Sequence, residues 1–102
     1  MQYLKNYDFN DDEIKWLEVN IPNVLKKALI EEEKLVSANI KYLKELGIEN
    51  YKEIFNNYYN MFLMDNSAFI EIFNKYDQTD LIDKLKKNIA IVEYLYSFFS
   101  FL

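Results

Sequence analysis

The stretch LVSANIKYLKELGIENYKEIF, residues 35–55, contains the signals that decide the fold. Its first half repeats apolar residues at helical spacing, as at Val36, Ile40 and Leu43. Gly47 follows where a left-handed residue commonly ends a helix. Asn50 comes three residues later and has the character of a helix N-cap. The stretch therefore predicts two helices joined by a short turn.

The same signals recur on both sides of this stretch. Pro22 separates a first helix from a long second one, because proline is best tolerated at a first helical position. The inner face of the fourth helix is predicted to run from Phe69 to Tyr76. The expected N-caps are Asn10, Asn50, Asp65 with Asn66, and Thr79 or Asp80. The predicted helices cover residues 11–21, 23–46, 50–63, 66–76 and 80–99.

Composition supports an all-α class. The chain has 102 residues, of which 51% are hydrophobic, and it contains one Gly and one Pro. So few turn-forming residues do not suit the tight turns of a many-stranded sheet. A chain of this length has the size of one domain with one core. We predict a single helical domain over residues 1–102, built as a compact five-helix bundle or a short helical array.

The charge balance bears on the partner. The chain has 17 acidic and 12 basic residues, and its formal net charge is −5. All the basic residues are lysines, so the bidentate fork by which Arg recognises phosphate and guanine is missing. A negative net charge also repels polyanions. The sequence therefore disfavours nucleic acid as a partner. Its acidity suits a basic protein partner, although mild acidity also commonly serves only solubility.

Catalysis and metal binding have few candidate residues. The chain has no His and no Cys, so the commonest general base and the thiol nucleophile are both missing. Residues 8–19, DFNDDEIKWLEV, begin like a calcium loop, but Glu13 stands where Gly is needed and Val19 where the closing Glu is needed. No Gly-rich loop exists to hold a nucleotide. We predict a protein that is not an enzyme, with no cofactor and no metal site.

Aromatic and acidic residues are the candidates for partner binding. Tyr58 and Tyr59 are adjacent on a predicted helix, so one of them must leave the inner stripe. Exposed Tyr and Trp supply contact area for a partner at low entropic cost. The alternative is that the tyrosines belong to the edge of the core and only their hydroxyls reach solvent. The candidate partner-binding residues are Trp16, Tyr58, Tyr59, Asp11, Asp12, Glu13, Glu31, Glu32 and Glu33. They predict a small acidic protein-binding module, of the inhibitor or immunity-protein type, that occupies a basic site.

The C-terminal stretch IAIVEYLYSFFSFL, residues 89–102, has Glu93 as its only charged residue. It is shorter than the roughly 20 residues that cross a bilayer, so no membrane span is predicted. The N-terminus lacks the features of a signal peptide, and a cytoplasmic location is expected. The alternatives for this stretch are burial in the core, an interface with a second copy or with another protein, and a frayed tail. The candidate interface residues are Tyr96, Phe98, Phe99, Phe101 and Leu102.

Residues 3–25 and 42–62 form a weak internal repeat. Both copies begin Tyr-Leu-Lys and continue through a turn with an apolar residue into a capped helix. The pattern DDEIKWLEVNIPNVL…IKYLKELGI resembles the helical repeats of the mitochondrial transcription termination factor family. The residues that carry the resemblance are Pro22, Val24, Leu25, Leu43, Gly47 and Ile48. It implies a helical-repeat fold and, as an alternative function, a nucleic-acid-binding fragment, although Tyr59 replaces the second proline and no cationic face is present.

Overall fold

The computed structural model describes the backbone of residues 1–100 and the side chains of residues 1–95. All regular secondary structure in this part of the chain is helical, which confirms the predicted all-α class. The α-helices are α1 (Asp11–Asn20), α2 (Asn23–Glu31), α3 (Glu33–Leu46), α4 (Tyr51–Tyr58), α5 (Asn66–Asn74), α6 (Gln78–Lys87) and α7 (Ile91–Ser100). A first 3-10 segment covers Gln2–Tyr7 and a second covers Tyr59–Leu63. The number of helices within residues 1–100 is therefore larger than the five that the sequence predicts.

The long helix predicted at 23–46 breaks at Glu32, whose backbone has φ −97° and ψ 39°. The buried residues on either side of the break, Leu29 and Val36, are separated by a run of exposed residues that includes Glu31 to Glu33. Because no apolar side chain holds this turn against the core, the axis is free to change direction here. The break lets α2 contact the second 3-10 segment while α3 contacts α4 and α5.

Two further predicted helices are also divided. The helix predicted at 50–63 changes to 3-10 geometry after Tyr58, which has φ −135° and ψ 40°. The helix predicted at 80–99 is interrupted at Asn88, which is extended with φ −156° and ψ 106°. The Asn88 side-chain oxygen accepts a hydrogen bond from the Ala90 amide at 3.0 Å. Asparagine competes with the helical backbone in this way, so Asn88 ends α6 and leads into α7.

The N-terminal residues, which the sequence prediction placed in no helix, form part of the core. Leu4 is fully buried, and Tyr3 is 9% exposed. The Tyr3 hydroxyl donates a 2.6 Å hydrogen bond to the Leu29 carbonyl of α2. Burial raises the pKa of Tyr3 above its usual value, and the nearby Glu33 carboxylate adds to the effect. The first 3-10 segment therefore packs against α1 and α3 and is tied to α2 by a buried hydrogen bond.

The core contains a chain of touching aromatic rings. Successive ring centroids are 5.7, 5.0, 5.2 and 5.1 Å apart, within the range of favourable edge and tilted contacts. The rings belong to Phe9, Phe55, Phe62, Phe69 and Phe73. This chain connects the turn before α1 to α4, the second 3-10 segment and α5. The more exposed elements pack around this chain of rings.

One buried amide fixes the second 3-10 segment. Asn39 of α3 is fully buried, and its Nδ2 donates to the carbonyls of Phe62 and Met64 at 2.9 and 3.0 Å. Its Oδ1 accepts from Asn66 Nδ2 at 2.9 Å. Buried polar groups without partners are costly, so this set favours one position of the segment on α3.

The structure confirms some predicted caps and corrects others. Asn10 and Asp65 accept hydrogen bonds from the first turns of α1 and α5, as predicted. Asn50 makes no side-chain cap, and its Nδ2 instead donates to the Leu85 carbonyl of α6 at 3.0 Å. Asp77, rather than Thr79 or Asp80, caps α6.

One predicted inner-face residue is also corrected. Tyr76 is 46% exposed, whereas Ile72 takes the buried position expected on α5. The helix ends at Asn74, so the helical spacing that placed Tyr76 inside no longer applies beyond that residue. Within residues 1–100, no helix is long and apolar enough to cross a membrane.

Candidate functional site

The outer surface of α1 exposes two large apolar side chains. Trp16, the only tryptophan of the chain, is 54% exposed, and Val19 is 75% exposed. Consecutive helical residues are about 100° apart, so Asp12, Trp16 and Val19 form one stripe opposite the buried Ile14 and Leu17. We call Asp12, Trp16 and Val19 the α1 outer stripe. Its spacing of four and three residues is that of helices that dock along one face.

The start of α1 is fixed by a complete capping box. The Asn10 side chain accepts from the Glu13 amide at 2.8 Å, and the Glu13 carboxylate accepts from the Asn10 amide at 2.9 Å. Lys52 Nζ of α4 lies 3.1 Å from Glu13 Oε2. The Asn10 amide, with a contribution from Lys52, lowers the pKa of Glu13 below its usual value. The Glu13 carboxylate is thus engaged in intramolecular contacts, although the sequence analysis names Glu13 as a partner-binding candidate.

The turn before α1 is tied to α3 and α4 through Asp8. The Asp8 carboxylate accepts from Lys44 Nζ and from the Tyr51 hydroxyl, each at 2.9 Å. Lys52 Nζ donates to the Asp8 carbonyl at 2.9 Å, and the Tyr51 hydroxyl also donates to the Tyr7 carbonyl at 2.8 Å. The hydrogen bond from Lys44 is the main cause of the lowered pKa of Asp8. Burial, aided by Asp8, raises the pKa of Tyr51 to about 12. These contacts hold α1 in place from its N-terminal side.

The acidic residues of α1 differ in what they contact. Asp11 pairs with Lys5 at 2.9 Å, and Glu13 pairs with Lys52. Among the described residues, Asp12 makes no ion pair and is exposed. Of the three carboxylates predicted to face a partner, Asp12 is therefore the one that remains available beside Trp16.

The two predicted tyrosine anchors are less exposed than Trp16. Tyr58 and Tyr59 are both half-buried and pack against the core. Burial, together with the neighbouring Glu93 carboxylate, raises the pKa of Tyr58. Each tyrosine reaches the surface in part while its ring supports the core. Removing either ring would therefore change packing as well as surface.

The acidic run on the second predicted helix lies at the junction of α2 and α3. Glu31, Glu32 and Glu33 are all exposed, and Glu31 lies 4.0 Å from Lys27. No hydrogen bond or ion pair among the described residues links this run to the α1 outer stripe. The carboxylates of this run face solvent around the break rather than converging on one point.

The oligomer-interface candidates fall at the C-terminal end of the chain. Phe101 and Leu102 lie outside the described residues. Tyr96, Phe98 and Phe99 belong to α7, but their side chains are likewise outside the described part. Sequence reasoning missed four other exposed apolar residues: Val19 on α1, Val24 and Ile30 on α2, and Tyr94 on α7, which is 74% exposed. A helical projection of these three helices would have found them.

The titratable groups around α1 whose pKa values are shifted all make contacts within the molecule. The shifted pKa values of Asp8, Glu13 and Tyr51 come from burial and from contacts that anchor the helix. Within the part of the chain that the structure describes, no three His, Cys, Asp or Glu residues are grouped to hold a metal ion. Comparison of the chain with protein-family models, with curated proteins and with solved structures finds no match.

Proposed function

We propose that the chain is a small, acidic, non-enzymatic protein-binding module that docks through the α1 outer stripe on a basic site of a partner protein. The observation that carries the proposal is the 54% exposure of Trp16 on a helix that is otherwise well anchored. Tryptophan is enriched among residues that dominate binding energy, and an exposed Trp beside Val19 offers apolar area on a rigid support. The binding mode is that of an inhibitor or immunity-type protein.

Charge supports a basic partner. The net charge is −5, and Asp12 lies one helical turn from Trp16 without an internal counter-ion among the described residues. A cationic group on the rim of an apolar groove would pair with Asp12 as the indole enters the groove. Complementary charge of this kind raises the association rate and suppresses other partners.

The test compares binding by matched variants of the full chain. Trp16→Ala removes the proposed anchor, and Ile30→Ala removes an exposed apolar side chain of α2 that is 47% exposed. Proteins captured by the wild-type chain are purified, and their affinity for each variant is measured by calorimetry. We expect Trp16→Ala to weaken binding by more than about 1 kcal/mol and Ile30→Ala by less than about half of that. Equal losses for the two variants would refute docking through α1.

A further inference from the structure

A second apolar surface lies between α6 and α7, away from the α1 outer stripe in sequence. It is a groove of about 190 Å³. The lining residues are Tyr76, Asp80, Leu81, Lys84, Ile91, Tyr94 and Leu95. Tyr76 and Tyr94 are 46% and 74% exposed, so two aromatic rings reach solvent at one small groove. Two exposed rings on an apolar groove form the kind of surface that is buried in protein interfaces.

The rim of this groove carries one charge of each sign. Asp80 Oδ2 and Lys84 Nζ of α6 lie 3.0 Å apart, and both side chains are more than half exposed. The two residues are one helical turn apart, about 6 Å along the axis. The rim is therefore locally neutral in a chain whose net charge is −5.

We propose that this groove is the interface of a two-fold symmetric dimer, in which a second copy of the chain covers it. Two-fold symmetry places residue i of one copy against residue j of the other, and j against i. If the two α6 helices meet antiparallel, with the axis midway between Asp80 and Lys84, each Asp80 faces Lys84 of the second copy. The intramolecular pairs of the two copies, one in each, are then matched by two equivalent pairs across the interface.

Charge also favours a second copy over strongly charged occupants of the groove. A polyanion or a strongly basic protein gains no net attraction from a neutral rim, whereas a rim with alternating charges is complementary to itself. Two copies that approached through other, acidic parts of the surface would repel each other. The interface uses α6 and α7, so it goes beyond the proposed docking of a partner on α1.

The first measurement is the mass of the full chain in solution by sedimentation equilibrium, over concentrations up to about 1 mM. We expect a monomer–dimer equilibrium. Tyr94→Ala, which removes an interface ring, should raise the dimer dissociation constant at least about 10-fold. Trp16→Ala is the matched control, because it removes an exposed ring from α1, and it should leave the constant unchanged. A monomer at every concentration, or equal effects of the two variants, would overturn the proposal.

A charge exchange tests whether the rims of the two copies face each other. Asp80→Lys gives a rim with two cations, and Lys84→Asp gives a rim with two anions. Both variants lose the intramolecular pair, so each should dimerise at least about 10-fold more weakly by itself. An equimolar mixture should recover a dimer, because the two rims are complementary. Recovery in the mixture supports rims that face each other across the interface, whereas a mixture that behaves as the sum of its components overturns the proposal. Thermal unfolding of each variant, followed by circular dichroism, confirms that the monomers compared are folded.

Discussion

Two turns of this molecule adopt the same backbone conformation with different residues. Asp8 ends the first 3-10 segment with φ 69°, and Gly47 ends α3 with φ 96°. In both turns the next residue donates to a carbonyl five positions earlier: Phe9 to Leu4 at 3.3 Å and Ile48 to Leu43 at 3.2 Å. This is the Schellman arrangement that commonly ends helices. The internal repeat noticed in the sequence is therefore a repeat of backbone geometry at these turns.

The difference between the turns lies in what stabilises each one. Glycine adopts a left-handed conformation without steric cost, so Gly47 needs no further contact. A residue with a Cβ adopts it at a cost, although aspartate is among the more tolerant types. Asp8 is held by Lys44, Tyr51 and Lys52, which all belong to the elements flanking the Gly47 turn. The Gly47 turn is thus favoured by its own residue, whereas the Asp8 turn depends on side chains of the elements that flank the Gly47 turn.

The largest expected effect comes from the buried leucines at equivalent positions of the two turns. Leu4 and Leu43 are both fully buried. Leu4→Ala and Leu43→Ala should each lower the free energy of unfolding by about 2–5 kcal/mol, because each leaves a cavity. Urea unfolding of both variants measures the losses. Similar losses would mean that the two turns contribute equally to the core, whereas a loss below about 1 kcal/mol for Leu4→Ala alone would make the first turn peripheral.

Gly47→Ala tests the turn that needs no partner. The added Cβ would lie 3.5 Å from Ile82 Cδ1, an ordinary contact, so the cost arises from the backbone conformation. We expect a loss of about 1–2 kcal/mol in the free energy of unfolding, measured by denaturant titration. Ser37→Ala, within α3, is the control for alanine substitution and should change stability little. A stability equal to that of the wild type would show that the turn relaxes out of the left-handed region.

Tyr51→Phe tests the turn that depends on its partner. It removes a hydroxyl that donates to Asp8 and to the Tyr7 carbonyl while leaving the ring in place. We expect a loss of about 0.5–1.5 kcal/mol by denaturant titration. Tyr42→Phe is the matched control, since Tyr42 is a half-buried tyrosine of α3 whose hydroxyl makes none of the described hydrogen bonds. Equal stability of the two variants would mean that the hydroxyl bonds of Tyr51 do not hold the Asp8 turn.

The smallest expected effect is the change in folding stability with pH that arises from the carboxyl groups at the first turn. The contacts of Asp8 and Glu13 lower the pKa values of both carboxyls in the folded state from reference values of 3.8 and 4.5. A carboxyl with a lowered folded-state pKa stabilises the fold above its unfolded pKa, and this contribution is lost as the pH falls through the folded value. We therefore expect stability to fall below about pH 4 and to fall less steeply in Asp8→Asn. Thermal unfolding between about pH 2 and pH 6 measures both slopes, and identical slopes would contradict a role for Asp8.

Local signals in the sequence predicted many of the elements correctly. The capping box of Asn10 and Glu13 and the left-handed stop at Gly47 are satisfied within a few residues of the chain, so they form as predicted. The breaks at Glu32 and Asn88 were not predicted, because helical periodicity alone continues across both. Asn50 has the spacing of a cap but donates to Leu85, a residue far away in the chain. A distant acceptor is not visible in a local pattern.

The candidate site shows the same division. The sequence alone identifies Trp16 and the acidic residues of α1, and its helical spacing places Trp16 opposite Ile14 and Leu17. It does not show that Asp11 and Glu13 are paired with Lys5 and Lys52 while Asp12 remains available. Those pairings depend on how the first 3-10 segment and α4 approach α1.

The sequence by itself determined the helical class, the positions of the strongest caps and stops, and the acidic net charge, because each depends on composition or on residues within one or two turns. The tertiary structure alone decided where long helices bend, which carboxylates are engaged, and that Asp8 adopts the conformation that Gly47 adopts unaided. The physical reason is the separation along the chain of the groups that each interaction joins. Backbone hydrogen bonds and caps act between near neighbours, whereas burial, ion pairs such as Lys44 with Asp8, and the groove between α6 and α7 require segments that only folding brings together.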